Sequence, residues 1–238
     1  MLHRGLAIDL ARHGFVVALP EHPGNSRTDN SLAGTKANLL NRPRHLCAAA
    51  DWAYQSELFH LVPASLGVIG HSLGGYTALA TAGGRPTAFP WETERKEAEE
   101  IHVTPDTRVK ALVLLAPAAA WFLEQGALDD VSIPILMFTG DKDDLEIPGH
   151  KTLADGSVVF MPAGHSAIVK RGVRNQGLVD HRVISNAGHY SFMSPYPVEM
   201  RTLGVPPSQD PAGFDRVSFY DEMCTDVRAF LHQTLRTS

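Results

Sequence analysis

Short apolar segments of two kinds alternate along this chain, and the alternation constrains its fold more than any other feature. Segments of the first kind are rich in β-branched residues and bounded by glycine or proline, which is typical of strands buried on both faces. These predicted strands are Phe15 to Leu19, Leu66 to Gly70, Val109 to Leu115, Ile133 to Thr139 and His181 to Ser185.

Segments of the second kind repeat apolar residues at helical spacing. They run through Leu6 to Ala11, Leu46 to Tyr54, Tyr76 to Ala80 and Val227 to Leu231. Strands that alternate with helices indicate an α/β fold, with a mostly parallel sheet and helices on both faces. The length of 238 residues suits one domain spanning 1–238.

Three stretches interrupt this alternation. The first, 83–107, contains a charge run from Glu92 to Glu100 that predicts a solvated helix or flap. The second, 149–177, is long and rich in glycine, and it predicts an irregular insertion. The third, 195–213, contains many prolines and predicts an ordered surface loop that covers a site as a lid.

Composition excludes several classes of function. A net charge of -5 gives no electrostatic basis for binding nucleic acid or an anionic membrane surface. The longest apolar run, Ala111 to Leu123, is too short to span a bilayer. The first residues lack the features of a signal peptide, and the only cysteines, Cys47 and Cys224, are interpreted as reduced. We therefore expect a cytoplasmic protein that acts on a small molecule.

The segment from Val68 to Tyr76 contains the motif Gly70-His71-Ser72-Leu73-Gly74, directly after a predicted strand and before a predicted helix. In a G-x-S-x-G motif the chain turns sharply and exposes the serine hydroxyl at the apex. We expect glycine at both ends of the motif because neighbouring backbone passes very close there. The motif predicts that Ser72 is a nucleophile.

The chain resembles α/β-hydrolases of the dienelactone-hydrolase-like group. The matching stretches follow the family's order and cover nearly the whole chain: Gly14 to Val17 leading into Pro20 to Gly24, the serine motif, Asp106 to Pro117, Ile133 to Asp143, and Ala187 to Phe192. The resemblance implies an α/β-hydrolase fold and a serine nucleophile assisted by a histidine and a carboxylate, in the chain order Ser, acid, His.

Three carboxylates follow the strand Ile133 to Thr139, namely Asp141, Asp143 and Asp144. Catalytic groups of parallel sheets lie beyond the carboxyl ends of the strands, so each of the three is a candidate acid. The family places its acid three residues after the glycine, which implies Asp143. The other two are then interpreted as turn-forming residues.

Two of the 12 histidines follow strand-like segments ending in Ala-Gly, and they compete for the role of the base. His165 leaves too little chain after Asp143 for a helix and a last strand, whereas His189 leaves enough. The run from Gly188 to Phe192 also resembles the family's base motif. We therefore favour His189, and the remaining histidines, including His71, are interpreted as surface or packing residues. No histidine pair has metal-ligand spacing on a helix face, so we expect no metal and no cofactor.

The backbone N–H of Leu73 is the expected first oxyanion donor. In the family the second donor comes from a Gly-rich loop before the first helix, and this sequence begins inside that helix. By resemblance the sheet order is 1-2-4-3-5-6-7-8, so the family's third strand would be missing between Phe15 to Leu19 and Leu66 to Gly70. We expect an N-terminally truncated α/β-hydrolase fold, a shifted strand, or a homodimer that covers the open sheet edge.

The expected function is hydrolysis of a carboxylic ester or lactone through an acyl-enzyme on Ser72. Aromatic residues near the expected site suggest an apolar or aromatic substrate group, although residues of this kind belong to the core more often than they contact substrate: Tyr76, Trp121, Phe122, Tyr190 and Phe192. Two alternatives remain open. One is a catalytically impaired binding module, and the other is an acyltransferase with the same three residues.

Overall fold

A computed structural model describes residues 3–63, 65–144, 149–152, 158–161, 164–196 and 209–235, with backbone alone at 149–152 and 158–161. Its helices are α1 (Arg4–Arg12), α2 (Lys36–Gln55), α3 (Leu73–Thr81), α4 (His165–Gly172) and α5 (Arg216–Leu235). Its strands are β1 (Leu66–Ser72), β2 (Thr87–Ala88), β3 (Glu99–Glu100), β4 (Val109–Pro117), β5 (Ile135–Gly140), β6 (Gly149–Thr152), β7 (Val158–Met161) and β8 (Val179–Ile184).

The main sheet has the order β1-β4-β5-β8, and every neighbouring pair in it is parallel. In register, Gly70 of β1 lies opposite Leu114 of β4, and Leu114 lies opposite Met137 of β5. Because all four strands run the same way, the loops that follow them emerge at one edge of the sheet. This edge holds the candidate site.

Alternate residues of β4 enter two separate cores, as the pleat of a strand requires. Leu112 and Leu114 belong to one core, which α2, α3 and α4 complete with residues such as Leu39 and Leu79. Val113 and Leu115 belong to the other, which α1 and α5 complete. The α/β fold predicted above is confirmed: a parallel sheet with helices on both faces, as in α/β-hydrolases.

The predicted strand Phe15 to Leu19 is wrong. Residues 15–19 follow Gly14, whose φ of +90° ends α1, and they form no strand. Phe15 and Val17 pack against the core on the α1 and α5 side, whereas Val16 and Leu19 are 46% and 59% exposed. A strand needs a hydrogen-bonding neighbour, and no described strand pairs with this segment.

The irregular stretches contain more order than the sequence predicts. In 83–107 the charge run forms no α-helix: Glu92 ends a 3-10 turn, Pro90–Glu92, and Glu99–Glu100 pair as β3 with β2 in an antiparallel pair. In 149–177 there are an antiparallel pair of β6 and β7 and the helix α4, so the prediction of an irregular insertion is wrong. Most of the predicted lid loop at 195–213 lies outside the described residues. None of the described helices is both long enough and apolar enough to cross a bilayer.

Candidate active site

Ser72 ends β1 and directly precedes the first residue of α3. Its backbone has φ 53° and ψ -121°, a left-handed conformation that is strained for a residue with a side chain. The Ala118 N–H holds the Ser72 carbonyl at 2.8 Å and ties the turn to the chain that follows β4. The strand-turn-helix geometry that the motif predicts is present, with the serine at its apex.

Close packing requires glycine at two positions of the turn, Gly70 and Gly75. The motif predicts only the first of them. A Cβ on Gly70 would lie 2.1 Å from the carbonyl oxygen of Gly74, and one on Gly75 would lie 2.4 Å from Cβ of Pro117. A Cβ on Gly74 would meet nothing within 4 Å. The expectation that Gly74 is needed for space is therefore wrong, and Gly75 has that role because α3 packs directly against the end of β4.

Asp143 is the best enclosed of the three candidate acids, with 2% of its surface exposed. It follows β5, and its N–H donates to the carbonyl of Gly140 at 3.2 Å. Asp141 is exposed and accepts a hydrogen bond from the Asn186 N–H at 2.6 Å, and Asp144 is exposed. The structure thus gives Asp141 the turn-forming role that the sequence suggested.

The loop that carries Asp143 is joined to the loop after β8 by backbone hydrogen bonds. The Asp141 N–H donates to the Ile184 carbonyl at 3.1 Å, and the Lys142 N–H donates to the Ala187 carbonyl at 3.0 Å. This approach requires a glycine at the end of β5, because a Cβ on Gly140 would lie 2.0 Å from the Ala187 carbonyl oxygen. The two loops therefore form one unit at the sheet edge.

His189 lies in the second of these loops, and its Nδ1 lies 2.9 Å from Oδ2 of Asp143. A carboxylate at this position accepts the Nδ1–H, which leaves Nε2 free to accept a proton. The competing histidine, His165, begins α4, and its Nδ1 accepts a hydrogen bond from the Ala119 N–H at 3.0 Å. The structure therefore brings Asp143 together with His189.

His71 connects the serine to this pair. It directly precedes Ser72, its Nε2 lies 2.9 Å from the backbone oxygen of His189, and the two imidazole rings have centroids 5.0 Å apart. Within the described chain, the Ser72 hydroxyl forms no hydrogen bond. Hydrogen bonds of catalytic groups are often long or poorly aligned without substrate, so the lack of a hydrogen bond on the Ser72 hydroxyl is compatible with a nucleophile.

Sequence reasoning placed His71 among surface or packing residues and did not reveal its contact with His189. The side chain sits between the rings of His189 and His3, and the His3 ring centroid is 5.1 Å away. Removal from water, with a smaller contribution from the neighbouring His3, lowers the pKa of His71 to about 3. No sequence signal separates such a histidine from an ordinary one, since its partner is a backbone atom 118 residues away.

Sequence reasoning also did not identify Ser191, Asp210 and Arg216, whose hydrogen bonds support the loop of His189. The Ser191 hydroxyl accepts from the Gly188 N–H at 3.0 Å and donates to Asp210 at 2.9 Å. Arg216, which begins α5, donates to both oxygens of Asp210. This chain of hydrogen bonds fixes the loop to α5.

Leu73 occupies the first position of α3, where a backbone N–H has no acceptor within the helix. The positive end of the helix dipole lies at the same place. The position suits the oxyanion donor that the sequence predicts, and Leu73 remains a candidate for that role.

The aromatic residues proposed for substrate contact separate into two groups. Tyr76, Phe122 and Phe192 are at most 2% exposed, and the Tyr76 hydroxyl donates to the Leu39 carbonyl at 3.0 Å. Their proposed contact with substrate is therefore wrong, because close packing in the cores encloses them. Trp121 is half-buried and donates to Glu92. Tyr190 is 37% exposed, and its ring lies 5.2 Å from the His189 ring, so its contact with substrate stays a prediction.

Among the described residues, no three histidine, cysteine or acidic side chains group as metal ligands would.

No protein-family model matches this chain, and no curated protein matches its sequence. Among solved structures the chain is similar to a predicted CIB-like hydrolase from Thermoplasma acidophilum, with 15% identity, a TM-score of 0.49, and coverage of 93% of this chain and 76% of that one. It is also similar to a truncated form of a carbohydrate esterase from gut microbiota, with 13% identity, a TM-score of 0.42, and coverage of 84% and 68%. Function therefore rests on the geometry of the site itself.

Proposed function

We propose that this protein is a serine hydrolase that cleaves a carboxylic ester or lactone through an acyl-enzyme on Ser72. The observation that carries the proposal is the 2.9 Å contact between His189 Nδ1 and Asp143, beside the residue that precedes Ser72. A carboxylate that orients an imidazole beside a strained serine is the arrangement that activates a hydroxyl for acyl transfer.

In the proposed reaction, Ser72 Oγ attacks the ester carbonyl carbon while its proton passes to Nε2 of His189. Asp143 keeps the proton on Nδ1 and stabilises the imidazolium that forms. The Leu73 N–H donates to the oxyanion of the tetrahedral intermediate. When the intermediate collapses, the leaving alkoxide takes the proton from His189. Water then attacks the acyl-enzyme with His189 as the base, which releases the acid and restores Ser72.

Tyr190 is the described residue best placed to meet the substrate next to the base. Its exposed ring offers an apolar face beside His189, so we propose that the substrate carries an apolar or aromatic group on this side. The rest of the substrate is left open, since esters, lactones and thioesters all suit the same three residues.

A fluorophosphonate probe tests the proposal directly, because it reacts covalently only with an activated serine. We expect labelling of the purified protein, loss of labelling in Ser72→Ala, and strong reduction in His189→Gln and Asp143→Asn. Ser31→Ala is the comparison variant, because this serine is exposed in the loop before α2, and we expect its labelling to be unchanged. Labelling that persists in Ser72→Ala contradicts the proposal. A folded protein without any labelling favours a binding module instead.

Hydrolysis and acyl transfer share the first half of the reaction, and they separate in the second. With a p-nitrophenyl ester of a short fatty acid, a hydrolase continues to release nitrophenol in water after the first turnover. An acyltransferase with this site would release one equivalent and then stop until an acceptor alcohol or amine is added. We expect continued turnover.

A further inference from the structure

His71 links two parts of the sheet edge that no described strand pairing joins. It lies in β1, and its Nε2–H donates to the backbone oxygen of His189 at 2.9 Å, because a carbonyl oxygen can only accept. The loop of His189 follows β8. The hydrogen bond therefore connects the strand of the nucleophile with the loop of the base.

This connection spans the whole sheet. β1 and β8 are the two outer strands of the order β1-β4-β5-β8, so three strand spacings, about 14 Å, separate them. The loop after β8 must reach back over the ends of β5 and β4 to place His189 near Ser72. Asp143 comes from the loop after β5 and holds the loop part of the way across. His71 holds it at the far side.

The two contacts of His189 fix different parts of the residue. Asp143 binds the ring at Nδ1, which sets the tautomer but leaves the backbone able to shift. His71 binds the backbone oxygen, and its own ring packs against the His189 ring at 5.0 Å between centroids and 43° between planes. Together the two contacts fix both the backbone position of His189 and the orientation of its ring.

His71 is suited to this task because it stays neutral. Its enclosure between His3 and His189 lowers its pKa to about 3, so near neutral pH it keeps one N–H, which the His189 carbonyl binds. A neutral imidazole adds no positive charge beside the imidazolium that His189 becomes during the reaction.

We propose that His71 is a positioning residue for His189, holding the backbone and ring of the base at the distance from Ser72 that proton transfer requires. The inference rests on the proposed function, because it assumes that His189 is the base. A base displaced by about 1 Å can cost two orders of magnitude in rate, so loss of this single hydrogen bond would appear mainly in kcat.

The test compares two pairs of variants. His71→Gln keeps a donor near the position of Nε2, whereas His71→Met has a similar length and no donor. His71→Asn carries the same amide as His71→Gln but is one methylene shorter, so it falls short of the carbonyl. We expect kcat for a p-nitrophenyl ester to fall about 10- to 100-fold in His71→Met and His71→Asn, with KM nearly unchanged, and to recover mostly in His71→Gln.

A second readout separates positioning from general support of the fold. The proton between His189 Nδ1 and Asp143 should give a downfield NMR resonance, which we expect to persist in His71→Gln and to broaden or vanish in His71→Met. If His71→Met does not fold, the comparison of His71→Asn with His71→Gln decides, since both introduce the same polar group. Equal kcat in all folded variants overturns the inference, and so does a folded His71→Gln protein whose kcat is no higher than that of His71→Asn.

The unmodified protein separates failure of this inference from failure of the proposed function. If the unmodified protein neither hydrolyses esters nor reacts with the fluorophosphonate, the proposed function fails and takes this inference with it. If it reacts and the His71 variants react equally fast, the proposed function stands and the positioning role alone is wrong.

Discussion

The loops that follow β5 and β8 differ from the segment 15–19, which the sequence predicts to be a strand, in how their backbones are held. The two loops are joined by backbone hydrogen bonds and enclose Asp143. The segment 15–19 has one described backbone hydrogen bond, from the Phe15 N–H to the Leu10 carbonyl. We call residues 15–19 the outer segment. Backbone hydrogen bonds, rather than apolar content, distinguish the two loops of the site from this outer segment.

Of the substitutions considered, Gly140→Ala should disrupt the two loops after β5 and β8 most severely. The added methyl would lie 2.0 Å from a backbone oxygen of Ala187, and backbone cannot turn aside as a side chain can. The two loops would have to separate, and the contact between Asp143 and His189 would separate with them. We expect a loss of about 3 kcal/mol in the free energy of unfolding and near-complete loss of fluorophosphonate labelling.

Urea unfolding and labelling of the same preparation check this prediction. Gly74→Ala is the matched control, because its methyl would meet nothing and its φ is ordinary. A Gly140→Ala protein with unchanged stability and unchanged labelling would show that the loops do not depend on this close approach.

The turn at Ser72 allows a sharper comparison between neighbouring glycines. Gly75→Ala places a methyl 2.4 Å from Cβ of Pro117, so we expect a loss of about 1–3 kcal/mol in the free energy of unfolding. Gly74→Ala should be neutral or should stabilise by about 0.5–1 kcal/mol, since alanine favours a helix. Urea unfolding of both variants measures the difference, and a reversed order would contradict the assignment of Gly75 as the packing glycine.

These two glycines also show what the sequence could and could not reveal. A strand, a Gly-x-Ser-x-Gly motif and a helix predict the turn, because that local geometry is encoded in adjacent residues. The choice between Gly74 and Gly75 depends on Pro117, which lies 42 positions beyond Gly75 and whose proximity is created only by the pairing of β1 with β4. Contacts of this kind cannot be inferred from the spacing within a motif.

The same reasoning applies to the strands and to the site. Leu66 to Gly70, Val109 to Leu115 and Ile133 to Thr139 are confirmed as strands, since buried β-branched segments beside one another form a sheet. Phe15 to Leu19 has the same composition, but a strand also needs a neighbour. Asp143 and His189 were favoured partly by family resemblance, and His71 was missed because its acceptor is a backbone carbonyl.

A fall in pH should lower the free energy of unfolding through the histidines near the site. The outer segment should not contribute to this loss, because residues 15–19 carry no titratable side chain. Burial lowers the pKa of His71 to about 3 and that of His3 to about 4, while both return to about 6.5 on unfolding. Protons therefore bind these two histidines more readily in the unfolded chain, so their contribution to the free energy of unfolding is fully present above pH 6.5 and is lost progressively below it.

Comparison of the unmodified protein with His71→Gln isolates the contribution of the His71 imidazole to this pH dependence. Between pH 6.5 and 5.5 we expect the protein to lose about 1 kcal/mol more of its free energy of unfolding than the variant loses. Urea unfolding at several pH values between 7 and 5 measures this loss. Parallel curves for the two proteins would mean that His71 is not held neutral in the folded state.

The smallest effects should come from the outer segment. Val16 and Leu19 are 46% and 59% exposed, so Val16→Thr and Leu19→Ser should each change the free energy of unfolding by less than about 0.5 kcal/mol. Phe15 packs against α5, with its ring 4.6 Å from that of His232, so Phe15→Ala should cost clearly more. The contrast holds only if nothing else covers this side of the molecule.

A homodimer through the open edge of β1 would remove the contrast, which makes association the decisive measurement. Among described strands β1 pairs only with β4, and an unpaired edge of this kind is a template for another strand. If a second copy binds there and also covers the outer segment, light scattering should give twice the monomer mass, and Leu19→Ser should lower both that mass and the stability. A monomeric mass together with unchanged stability of Leu19→Ser would mean that no second copy pairs with the edge of β1.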